Sequence, residues 1–247
     1  MQSLESRIAE IESRDARVEN DKQAAIIHGR QLRWVLIPGG PRNMAFLPHS
    51  EQKLRELWFQ VERPNLTQPE NPQPAIWRPE LYKLLKDKRL AIAYSMGTVM
   101  TLDTLTQYPD LSLDCLILVW CSWWAGQYIK NDPALLWDFK HRMNAFPPAF
   151  SWLWRIYGNI VGQTFIDRMC QMQEQSSIDP TAVTQRVRKI VFILSDNDRI
   201  VPLSHGYVQA EKLWAHVIVC HKHGHFTRGG ELSALSEYLE RIINHTN

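Results

Sequence analysis

The residues of this chain best suited to covalent chemistry are a serine, a histidine and a pair of carboxylates, each standing where an apolar run breaks off. Ser95 lies in Ala93-Tyr94-Ser95-Met96-Gly97, where the apolar run Leu90-Ala91-Ile92-Ala93-Tyr94 gives way to a helical pattern. A serine at such a strand-to-helix turn occupies a sharp and often strained backbone that lifts its hydroxyl above the sheet edge. Small residues two positions before and after it, here Ala93 and Gly97, let strand and helix approach closely. The helix starting at Met96 aims free N–H groups and the positive end of its dipole at that hydroxyl, which favours a developing oxyanion. Asp196 and Asp198 fall just past a second apolar run, in Leu194-Ser195-Asp196-Asn197-Asp198-Arg199-Ile200-Val201-Pro202, and His225 falls just past a third, in Gly224-His225-Phe226. The order along the chain is nucleophile, acid, base, the set needed to activate a hydroxyl for attack on an acyl carbon.

These residues can act together only if the elements carrying them bring them to one rim. Leu32 to Ile37 reads as a buried strand ending in the tight loop Pro38-Gly39-Gly40-Pro41. A helix is expected over 50–58, and another near 78–88. Between them, five of the fourteen prolines fall from Pro64 to Pro79, which suggests an irregular surface excursion. Then follow a strand at Leu90 to Tyr94, a helix from Met96 to about Tyr108, a strand at Leu113 to Trp120, a strand at Ile190 to Leu194, a helix near 204–215, a strand at His216 to Cys220 and a helix at 231–243. Continuous apolar strands alternating with helices indicate an α/β fold, a mostly parallel sheet covered on both faces. Such open sheets bind ligands at the carboxyl ends of their strands, so Ser95, the acids and His225 would converge on one edge. The section from Cys121 to Arg188 interrupts the alternation. It is helical in pattern and, with Trp120 at its edge, holds six of the ten tryptophans, Trp123, Trp124 and Trp152 among them. These are expected to fill a cap and to line a pocket for an apolar group.

Together these features resemble the α/β-hydrolase family over nearly everything from Leu32 to Ile243. The resemblance implies that fold, shortened at the N-terminus by the absence of the first two sheet strands, in a domain over 28–247 with a helical cap at about 123–188. It implies Ser95 as nucleophile, His225 as general base and acid, and Asp198 as orienting acid. Asp198 stands four residues before the proline of Val201-Pro202, as the family's acid does; Asp196 is the substitute if the loop is shifted. The loop after Ile37 takes the place of the family's oxyanion loop, so the backbone N–H groups of Gly40 and Met96 would bind the tetrahedral oxygen. Two positions depart from the family pattern: Ala93 replaces the first glycine of the elbow, and Pro38 stands where a histidine is usual. The implied activity is that of a serine esterase or thioesterase, with no metal or organic cofactor. The competing reading is an inactive hydrolase-like scaffold that serves as a binding module.

Composition narrows the partners. Among 247 residues, 28 basic against 26 acidic side chains leave a net charge of +2 without any long run of one sign, which disfavours nucleic acid. The charged first thirty residues offer no apolar signal segment, and no apolar stretch of about 18 residues follows, so a cytoplasmic protein without a membrane span is expected. Cys115, Cys121, Cys170 and Cys220 form no C-x-x-C pair and read as reduced core thiols. His221, His223 and His225 would share one face if their strand continued, but no further ligand stands at metal-binding spacing. The charged N-terminal segment, 1–27, carries Leu4, Ile11 and Val18 at heptad spacing; it could join two subunits in a homodimer or lie on its own domain. Arg142, Arg155, Arg168, Arg186 and Arg188 could meet an acidic carrier of the acyl group.

Overall fold

The computed structural model describes residues 33–39, 46–56, 59–68, 73–119, 130–131, 133–134, 164, 166–198 and 201–225. Four continuous apolar runs build the centre of a six-stranded sheet: β1 (Arg33–Ile37), β3 (Leu90–Tyr94), β4 (Cys115–Val119) and β5 (Ile190–Ser195). The strands β2 (Gln60–Glu62) and β6 (His216–Cys220) form the two edges. The order is β2-β1-β3-β4-β5-β6, and every pairing is parallel. Every residue of β3, β4 and β5 is buried, as a sheet covered by helices on both faces requires. From β1 the chain goes outward to β2 and then returns to the other side of β1 as β3. The strand order therefore reverses between β1 and β3, and such a switch point opens a crevice at the carboxyl ends of the two strands.

Among the described residues five helices connect these strands: α1 (Phe46–Glu56), α2 (Pro74–Leu85), α3 (Met96–Gln107), α4 (Pro180–Arg186) and α5 (Leu203–Lys212). Residues 166–175 are helical as well. The central helix, α3, is buried from Met96 to Leu105 although it holds four threonines and an aspartate. Its hydroxyls are satisfied within the helix: Thr98 donates to Ser95 O at 2.6 Å, Thr101 to Gly97 O at 2.7 Å and Thr104 to Met100 O at 2.7 Å. Asp103, fully buried, accepts from Arg78 Nε of α2 at 2.7 Å and from the Ser177 N–H at 2.8 Å. One buried carboxylate thus ties α2, α3 and the segment entering α4 together.

One expectation is corrected here. The proline-rich stretch is not irregular to its end, because α2 begins at Pro74 and contains Pro79. Proline at the first helical turn lacks only an N–H that has no intrahelical partner there, and Trp77, Leu81 and Leu85, spaced one turn apart, are all fully buried, which outweighs the bond lost at Pro79. The edge strand β2 has three residues, mostly exposed and polar, and carries no apolar run that could announce it. The N-terminal charged helix, the helix at 231–243, Cys121 and most of the cap lie outside the described residues. Cys115, Cys170 and Cys220 are free and buried, and burial pushes the Cys115 thiol up to about 12. No described helix is long and apolar enough to cross a membrane.

Candidate active site

Strand register carries the three elements to one rim. Tyr94 at the end of β3 pairs with Val119 of β4, Val119 with Ile193 of β5, and Ser195 at the end of β5 with Cys220 at the end of β6. The residues just beyond these ends are Ser95, Asp196 to Asp198, and His221 to His225.

Ser95 sits between β3 and α3 with φ 54° and ψ −127°, a backbone that costs a non-glycine residue of order 1–3 kcal/mol. The surroundings hold it there. The Ser95 N–H donates to Val119 O at 3.1 Å, extending the ladder into the turn, and Ser95 O accepts from the Thr98 N–H at 2.9 Å and from the Thr98 hydroxyl. The reason for Gly97 differs from the one expected. A Cβ there would run into the carbonyl of Pro38, in the loop after β1. A Cβ on Gly39 would in turn collide with Tyr94 O and Ser95 Cβ and lie 2.8 Å from Met96 N. The two glycines let the β1 loop pack directly on the elbow, at the switch point of the sheet. That loop is where an oxyanion donor is expected; Gly40 itself lies outside the described residues, whereas Met96 opens α3 and is buried.

The acid and the base meet across β5 and β6. His225 Nδ1 and Asp198 Oδ2 are 3.1 Å apart, with the carboxylate side chain 1% and the imidazole 12% exposed. Asp198 Oδ1 accepts from the Val201 N–H at 3.2 Å, which fixes the carboxylate plane. Burial lowers the His225 pKa, and the hydrogen bond and charge of Asp198 offset part of that shift. Asp196 is turned elsewhere: it pairs with His221 and accepts from the Lys222 N–H at 2.8 Å. Those contacts lower its pKa, the Lys222 bond contributing most and His221 next. Of the two candidate acids, Asp198 is the one that faces His225.

Ser95 joins this pair through its neighbour. Tyr94, fully buried, donates its hydroxyl to His225 O at 2.8 Å, and the Tyr94 and His225 rings are 5.9 Å apart between centroids. Burial, with the Asp198 charge second, raises the Tyr94 pKa, so its proton stays on as donor. The Ser95 hydroxyl is not itself hydrogen-bonded to the imidazole.

No family model matches the chain, and no curated protein sequence matches it. Solved structures do. The ydeN gene product of B. subtilis aligns with a TM-score of 0.56 at 20% identity, over 85% of this chain and 97% of that one. An α/β-hydrolase enzyme from a Medee basin deep-sea metagenome library aligns at 0.51 and 13% identity, over 87% and 88%. A carboxylesterase of the thaumarchaeon Nitrososphaera gargenis aligns at 0.57 and 12% identity, over 87% and 90%. The chain has the α/β-hydrolase fold.

Within the α/β-hydrolase fold, several expectations meet a different geometry or fall outside the described residues. Trp123, Trp124 and Trp152 belong to the second group, as do Arg142 and Arg155. Arg186 donates through Nη1 to the carbonyls of Leu105 and Thr106 at the end of α3. Arg188 precedes β5, and its N–H donates to Leu113 O ahead of β4, so it belongs to the opposite ends of the strands. The histidine alternation does not continue either. The strand β6 ends at Cys220, and Lys222 and Gly224 turn with φ 59° and 54°. Among the described residues no group of three or more His, Cys, Asp or Glu side chains is arranged to hold a metal ion. Sequence reasoning passed over Tyr94, Ser195 and Asn197, whose polar atoms all reach the histidine loop or the acid loop.

Proposed function

We propose that the protein is a serine hydrolase that cleaves an ester or thioester of an apolar acyl group through an acyl-enzyme. One observation carries the reading: a serine in a strained elbow at the switch point of the sheet shares a rim with a buried, hydrogen-bonded aspartate–histidine pair. The carboxylesterase identity of one structural neighbour supports the same class.

In this reading Asp198 holds the imidazole with its Nδ1–H donated to the carboxylate, which leaves Nε2 to accept the Ser95 proton as Oγ attacks the acyl carbon. The tetrahedral oxygen accepts from the Met96 N–H at the positive end of α3 and from the expected donor Gly40. His225 then protonates the departing alcohol or thiol, and water, deprotonated by the same imidazole, releases the acid and restores Ser95. Burial of the pair makes the imidazolium that forms in each half-reaction dependent on the Asp198 carboxylate. The preference for an apolar acyl group rests on the tryptophans of the cap sequence, and a carrier-linked substrate would have to be met by Arg142, Arg155 or Arg168.

The alternative, an inactive scaffold that binds a ligand, is favoured by one fact, the missing hydrogen bond between Ser95 and His225. Turnover decides between them. A series of p-nitrophenyl esters of rising acyl length, run beside acyl thioesters, is expected to show hydrolysis that grows with chain length and vanishes in Ser95→Ala. A folded wild-type protein that hydrolyses none of them above the Ser95→Ala background would favour the binding module.

A further inference from the structure

The loop that carries His225 is tied to the acid loop through side chains. After Cys220 it leaves the sheet, and two of its next four residues adopt left-handed backbone. The N–H groups of Lys222, His223 and Gly224 each donate to a side chain of residues 195–197. The Lys222 N–H donates to Asp196 Oδ1 at 2.8 Å, the His223 N–H to Ser195 Oγ at 3.1 Å and the Gly224 N–H to Asn197 Oδ1 at 2.7 Å. The next contact in the series is the His225 ring on Asp198. Ser195 and Asn197 are also joined to each other, because the Ser195 hydroxyl donates to Asn197 Oδ1 at 2.9 Å. Four consecutive side chains thus receive four consecutive residues of the neighbouring loop.

The members of this series differ in burial and in the number of hydrogen bonds that each side chain makes. Asp196 is exposed to solvent, and water can take its place on the Lys222 N–H. Ser195 is buried, with its hydroxyl used in both directions, as donor to Asn197 and acceptor from His223. Asn197 is exposed like Asp196; what sets it apart is that its one oxygen accepts from two donors, the Ser195 hydroxyl and the N–H of Gly224, the left-handed residue directly before His225.

We infer that Ser195 and Asn197 are positioning residues: their side chains template the 223–224 backbone and thereby set the imidazole of His225 against Asp198 and towards Ser95. This rests on the serine-hydrolase reading for its catalytic consequence, though not for the placement itself. A histidine shifted by about 1 Å costs on the order of a hundredfold in the chemical step. Both side chains are engaged with each other and with the histidine loop, so substrate binding should be spared.

The test compares Ser195→Ala, Asn197→Leu and the double variant with Asn197→Asp, which keeps an acceptor oxygen. Thermal melting establishes that each is folded. With a short p-nitrophenyl ester, kcat is expected to fall about tenfold in each single variant and about a hundredfold in the double. KM should stay within about twofold, and Asn197→Asp should recover most of kcat. Independently of activity, the imidazole N–H resonance of His225 should be lost or shifted in the double variant and retained in Ser95→Ala. An unchanged kcat and resonance in a folded double variant would overturn the inference. So would a rise in KM at constant kcat, or a loss that Asn197→Asp does not repair. If the wild type cleaves no ester, the serine-hydrolase reading fails, and the resonance still decides the positioning role.

Discussion

The pairs Asp198–His225 and Asp196–His221 join the same two loops with the same residue types, and they end in different environments. The first has side chains 1% and 12% exposed; the second has 31% and 74%. In the buried pair the absence of water strengthens the interaction between carboxylate and imidazole and also penalises the charged imidazole, so each partner controls what the other can do. In the exposed pair solvent screens the charges, and such pairs contribute little to stability. Residue type and spacing therefore do not distinguish the proposed acid–base couple from a surface ion pair. Burial does, and burial is decided by the elements around the loops: β3 with Tyr94 beneath His225, and Val201 closing over Asp198.

Swapping one acid at a time breaks the comparison most directly. Asp198→Asn, which keeps the side-chain volume, is expected to lower kcat about 10⁴-fold in an ester assay, since the wrong imidazole tautomer is then held. The pH profile should follow the buried histidine alone. A neutral imidazole is needed as base, and burial places its pKa below the ordinary 6.5. Activity should thus hold through pH 6.5 and fall only on further acidification, by about tenfold per unit below the imidazole pKa. Folding stability changes in the same direction, because the unfolded chain takes up a proton near 6.5 that the folded chain resists. This contribution is present above 6.5 and is lost as the pH drops from there towards the folded value.

Smaller effects sharpen the contrast. Gly97→Ala would force a methyl into the Pro38 carbonyl and part the β1 loop from the elbow. A destabilisation of about 1–3 kcal/mol is expected, read as a lower urea midpoint. Tyr94→Phe removes the hydroxyl that holds His225 O, and about 1–2 kcal/mol should be lost between stability and kcat. At the low end, Asp196→Asn should change kcat by no more than about twofold, as expected of an exposed pair. If Asp196→Asn instead matched Asp198→Asn, solvent exposure would not be what separates the two pairs.

Much of this arrangement was legible in the sequence because the central strands are unbroken apolar runs. The runs at Leu90 to Tyr94, Ile190 to Leu194 and His216 to Cys220 announced β3, β5 and β6 almost to the residue, and the polar residues just past them announced the rim. What escaped notice depends on contacts between distant segments. The exposed edge strand β2 has no pattern of its own, and α2 keeps Pro79 because Trp77, Leu81 and Leu85 are packed in the core. Gly97 reads as part of a local turn, yet its partner is the loop after β1. Ser195 and Asn197 read as ordinary turn residues, and only the left-handed path of 222–224 places N–H groups over them. The choice between Asp196 and Asp198 likewise follows from which carboxylate the fold covers.

A serine-directed fluorophosphonate tests the central claim most directly, because it reacts only where a hydroxyl is activated by a neighbouring base. Incubation of the folded protein, followed by peptide mass spectrometry, should find one adduct, on Ser95, formed far more slowly in Asp198→Asn than in Asp196→Asn. No adduct on a folded sample, or an adduct that persists in Ser95→Ala, would contradict the account.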